Sequence, residues 1–239
     1  MKRHDRYVSG LALLYGAWWL ALAVDPHYRD DWAVENVLVL LFVGALAATY
    51  RRFRLSRLSY TLIFVFLCLH AVGSHYTYAE VPYDAWFRSL TGHSLNALMG
   101  WERNHFDRFV HFMYGLLLVY PIREVFLRIA DVRGFWGYFL PLDFAIASSA
   151  IYELIEWGAA LVFGGELGAA YLGTQGDIWD AQRDMALASL GAFIAMAFTA
   201  AVNALLRRDF AEGVRESMRV KHAQPLGEEE LERLLRAKR

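Results

Sequence analysis

Residues 182–206 read QRDMALASLGAFIAMAFTAAVNALL, and no charged side chain follows Asp184 before the stretch ends at Leu206. A bilayer's hydrocarbon core is about 30 Å thick and takes about 20 mostly apolar residues of helix, so this stretch reads as a membrane span. Working outward, five further stretches approach the same pattern, near 8–24, 34–50, 58–75, 108–128 and 137–163. The expected fold is all-α, a polytopic membrane protein with about six transmembrane helices. Composition agrees. The 239 residues are 57% apolar and 21% charged, with mean hydropathy +0.26, whereas soluble domains hold roughly 45–50% apolar and 25% charged residues.

A net charge of −1 supplies no basic field, which argues against nucleic acid as a partner and leaves membrane lipids as the expected one. Nothing in the pattern sets an oligomeric state. Cys68 is the single cysteine, which excludes an intrachain disulfide framework and a cysteine-rich zinc site.

Orientation follows from Lys and Arg, which concentrate in cytoplasmic segments near span ends. The N-terminus, the link at 51–57, the link at 123–133 and the tail from Arg207 hold 19 of the 24. Both termini are therefore expected in the cytoplasm. Ala21-Leu22-Ala23 also fits a signal-peptide cleavage pattern, but no soluble domain follows it. Residues 1–208 are expected to form one membrane domain and 209–239 a polar cytoplasmic tail, partly helical where Leu231, Leu234 and Leu235 recur among charges. In the long link 76–106, Tyr83, Trp86, Phe87 and Leu90 stand at helical spacing beside Asp84, suggesting a short interfacial helix in which Asp84→Glu is silent. An ion pair or snorkelling head groups would account for Arg123 and Glu124 near the other face.

Ionisable residues inside spans are costly and default to functional hypotheses. Here they gather at one depth. Asp107 and His111 open the fourth span, Glu153 and Glu156 lie late in the fifth, and Asp177, Asp180 and Asp184 lead into the sixth. The i, i+4 and i, i+3 spacings let each pair face inward together. His70, with Ser74 one turn later, is the better aimed of the two histidines ending the third span.

Carboxylates packed this closely need a cation, shared protons or arginines. Imidazole with carboxylate and no thiolate suits a divalent metal, Zn, Mn or Fe, or Mg if waters complete the shell. His70, Asp107, His111, Asp177, Asp180 and Asp184 are the candidate metal ligands, and Glu153 and Glu156 the candidate catalytic carboxylates. Arg108 and Arg183 lie beside them, so a purely ionic network competes with the metal. Asp107, Asp177 and Asp180 also have an ordinary reading as helix-start charges.

At these residues the chain resembles a known family. His70, Tyr76-Thr77-Tyr78, Val81-Pro82, the run Arg103 to Arg108, Arg123-Glu124, the run Tyr152 to Trp157 and the run Leu172 to Met185 resemble the YjdF family of bacterial inner-membrane proteins, over residues 35–205. The resemblance implies an inner-membrane location and supplies no reaction. A fainter similarity is to VanZ-like membrane proteins, carried by Asp107-Arg108-Phe109-Val110-His111, Glu153 to Glu156, and Asp180 to Asp184 before Gly191. It implies a cell-envelope setting. Here Glu stands where those proteins often carry Gln and Asp where they carry Asn, which makes this site more anionic. Three functions fit such carboxylates: hydrolysis of a lipid-linked or envelope substrate, proton- or cation-coupled transport, and a binding or scaffold role. The sequence leaves them open.

Overall fold

The computed structural model describes residues 3–163, 174–206, 210–221 and 227–237, and the boundary expected at 208 lies outside them. Its described residues contain helices and no strand. In chain order these are α1 (Arg3–Leu22), α2 (Arg29–Thr49), α3 (Arg57–Tyr76), a 3-10 turn (Tyr78–Glu80), α4 (Tyr83–Thr91), α5 (Leu95–Met99), α6 (Phe106–Ile129), α7 (Trp136–Phe163), α8 (Asp180–Leu206), α9 (Phe210–Ser217) and α10 (Glu228–Ala237). Five of them, α2, α3, α6, α7 and α8, are long and apolar enough to cross a membrane. The chain is an all-α polytopic membrane protein. Helix α1 forms as expected, but Arg3, Asp5 and Arg6 crowd its first turns and it falls short of the five in apolar length.

The direction of each long helix is fixed by what its ends touch. Helices α1 and α3 run parallel, because Tyr7 meets Thr61 near their starts and His75 Nδ1 meets the Leu22 carbonyl near their ends. Helices α6 and α8 also run parallel and pack closest of all. Their contact is made by small residues: a Cβ on Gly115 would collide with the Ala188 carbonyl, and one on Gly191 with the Phe112 carbonyl. In lipid, where apolar side chains gain little by leaving the solvent, such close backbone approach supplies much of the packing energy. Val119, Ala145, Ala192 and Met196 continue that seam to α7, and Val39, Ile63, Leu67 and Leu118 join α2, α3 and α6.

One end of the bundle thus collects the ends of α1 and α3 and the starts of α2, α6 and α8. The other collects the start of α1, held by Tyr50 and Arg54 on Asp5, and the end of α8, held by Asn203 on Tyr138. There Glu124 does not pair with Arg123. It accepts from Ser56 N at 2.9 Å, Ser59 Oγ at 2.6 Å and Arg128 Nη1 at 2.6 Å, closing the first turn of α3, while Arg123 stacks on Tyr138. The start of α3 leaves backbone donors without helical partners, and a carboxylate satisfies them.

The expected interfacial helix is α4, stopped by Gly92 at φ +77°. Asp84 is more than a surface charge. It accepts from Ser94 Oγ at 2.9 and 3.0 Å and from Asn96 N at 2.9 Å, tying α4 to α5. The Asn96 amide and Ser94 hydroxyl hold its carboxyl below the usual carboxylate range.

Candidate functional site

The polar residues gather where α6 and α8 begin, on the same four-residue ladder that packs the two helices: Asp107, His111 and Gly115 on one, Asp180, Asp184 and Ala188 on the other. The ladder turns polar toward its outer rungs, and there it separates into two layers.

The first layer is ionic. Arg103 grips Asp180 with two nitrogens at 2.7 and 3.2 Å and the Thr174 carbonyl at 3.0 Å. Arg108 donates to Asp177 at 2.5 Å and to Asp180 at 3.0 Å, and Arg183 also donates to Asp177. The turn before α8 is set by Gln175 and Gly176, both at positive φ, and by Asp177 accepting from Trp179 N at 3.0 Å. That amide, with Arg108 and Arg183, holds the Asp177 carboxyl below its ordinary range. Burial and the adjacent Arg108 and Arg103 push His105 down, so the ring stacked on Trp101 stays neutral at pH 7. Asp177 and Asp180 are thus occupied by three arginines.

The second layer lies deeper and holds no arginine partner among the described residues. Asp107, His111 and Asp184 each offer one ligand atom, and these atoms lie within 4.8 Å of one another. His111 Nε2 stands 3.6 Å from Asp107 Oδ1 and 3.6 Å from Glu153 Oε1. Asp184 is 2% exposed, and its Oδ1, like Glu153 Oε1, is buried with no hydrogen-bond partner. Glu156, also buried, lies against Glu153 and Tyr152.

His70 belongs to neither layer. Its Nδ1 meets the Tyr78 hydroxyl and its Nε2 the Glu35 carbonyl at 3.3 Å, an arrangement that orients the ring toward α2. Sequence reasoning missed Glu35 itself, which is buried close enough to Asp107 to repel it and accepts from Tyr152 Oη at 3.5 Å. The signal was present. Asp31 and Glu35 form a further i, i+4 acidic pair, split by a span expected from residue 34, whereas α2 begins at Arg29 and carries both.

The model of the family described as predicted membrane protein (DUF2238) matches residues 7–204, which include every residue of both layers. The chain belongs to that family. The DUF2238 chain is 41% identical over 178 residues, 74% of its own length and 81% of the relative's, to the inner membrane protein YjdF of Escherichia coli (strain K12). No solved structure matches it. The protein is therefore a membrane protein with an inner-membrane homologue. Neither match shows the VanZ-like similarity.

Proposed function

We propose that this protein binds a divalent cation between Asp107, His111 and Asp184, and that Glu153 or Glu156 accepts a proton in a hydrolytic reaction on a lipid-linked or envelope substrate. The observation that carries the reading is the pair of buried carboxylate oxygens, Asp184 Oδ1 and Glu153 Oε1, left without hydrogen bonds in a cluster that has no arginine partner among the described residues. Burying an ionised carboxylate unsatisfied costs several kcal/mol, and a cation removes that cost. The donor set of one imidazole and two carboxylates suits Mn, Fe or Zn, with Mg possible where waters complete its shell.

A cation bound there would supply the positive charge that makes a nearby water acidic. The chain's own residues do the rest. Glu153, beside His111, is placed to take a proton, and Glu156 and Tyr152 are placed to hold its carboxyl in position. The bias of Lys and Arg toward the opposite end of the bundle supports termini in the cytoplasm and a site on the outward side.

Elemental analysis of the purified protein tests this. The wild type is expected to retain close to one equivalent of a divalent metal and Asp184→Asn very little, with both at equal membrane abundance. Negligible metal in both would favour the other reading the distances allow, a protonated His111 bridging Asp107 and Glu153 at 3.6 Å each.

A further inference from the structure

Below the carboxylates a narrow cavity of about 470 Å³ runs between α2, α3, α6 and α7. It reaches Asp107 and His111 at one end, and its walls are apolar, formed by Phe42, Ile63, Leu118, Ile122 and Phe144 among others. The cavity exists because α2 leans on α3 and leaves a gap toward α7. At the carboxylate end Tyr152 spans that gap, its hydroxyl reaching Glu35.

Dimensions restrict the occupant. Along α6 the lining extends from Asp107 to Val125, which at 1.5 Å per residue is about 27 Å, with the apolar part from Val110 taking about 22 Å. Spread over that length, the volume makes a slot less than about 10 Å across, which admits a hydrocarbon chain. A partner helix, about 10–12 Å across with its side chains, is far too wide. An extended chain advances about 1.2 Å per bond, so the apolar length matches about 18 bonds.

We infer that this cavity takes one extended acyl tail of a membrane phospholipid, with the phosphate headgroup at Asp107, His111 and Asp184. The inference rests on the cation reading in one respect: without a cation the carboxylates repel a phosphate, and with one they attract it. The tail enters laterally through the gap between α2 and α7, so no water-filled path is needed.

The test uses the full chain in a non-ionic detergent with Mn²⁺. Lysophosphatidylglycerols whose acyl chains step from below to above about 18 bonds compete against a fluorescent lysophospholipid. Affinity is expected to rise with chain length, level off near that value, and fall at least about fivefold when Mn²⁺ is removed, a modest coupling between two ligands. Val125→Trp fills the far end of the cavity and should move the plateau several carbons shorter while Mn²⁺ binding persists. Leu46→Trp, on the opposite wall, is the second blocking variant should the first fail to hold metal. Unsaturable binding in the wild type, or an unmoved plateau in a blocking variant that holds Mn²⁺, overturns the inference. A plateau that moves although no variant or wild-type sample binds Mn²⁺ overturns the cation reading instead and leaves the tail site standing.

Discussion

Asp180 and Asp184 sit one turn apart on α8 and meet opposite surroundings. Asp180 receives Arg103 and Arg108, so Asp180→Asn removes charge-assisted bonds from two guanidinium groups that keep only Asp177 and the Thr174 carbonyl, and should lower stability by about 1.5–3 kcal/mol, read as detergent-solubilised unfolding. Asp184 has a buried oxygen with no partner, so Asp184→Asn should raise metal-free stability by about 1–3 kcal/mol while abolishing stabilisation by Mn²⁺. Chelator and Mn²⁺ melts of the two variants separate these effects. Asp177 adds a pH dependence. Its carboxyl is held below the ordinary value, so its clamp on Arg108 and Arg183 is complete above the unfolded carboxyl's pKa and is lost only as pH falls through the lower folded value. Cross-linking of the 174–183 turn to Arg103's loop should therefore be unchanged from neutral pH down to the usual carboxylate range and fall only below it. The paired acids were legible from spacing because helical periodicity is local. Which acids meet arginine was not, since Arg103 and Asp180 are 77 residues apart and only the fold joins them.

At the scale of elements, the sequence pattern located four of the long helices closely and began α1 and α2 late, because about 20 apolar residues in a row have little alternative in lipid while polar first turns carry no such signal. It did not reveal that α6 and α8 are the closest pair. That depends on Gly115 and Gly191 facing each other's helices, a matter of rotation about the axis and not of composition. Gly115→Leu should force the helices apart, costing about 1–3 kcal/mol by overpacking, and should weaken metal binding although no ligand is changed. A metal titration beside an unfolding curve reads both. The expectation that Asp84→Glu is silent also changes. The longer side chain cannot keep its bonds to Ser94 and Asn96, so hydrogen exchange across 83–99 should quicken.

Across the whole molecule, alternating helices put the start of α1 and the end of α8 at one end and the carboxylate site at the other. Reporter fusions after Arg54 and Arg133 should report cytoplasm, and fusions after Asp30 and Gly92 the outer face. A protein so arranged offers a membrane lipid an apolar bed and a polar centre on one continuous wall of α6. The centre is the claim on which that picture depends. Electron spin-echo spectroscopy of the Mn²⁺-loaded protein addresses it directly, by detecting nitrogen bonded to the metal. The account predicts modulation from a single imidazole, abolished in His111→Gln and unchanged in His70→Gln. Absence of nitrogen modulation in the wild type, or its persistence in His111→Gln, would contradict it.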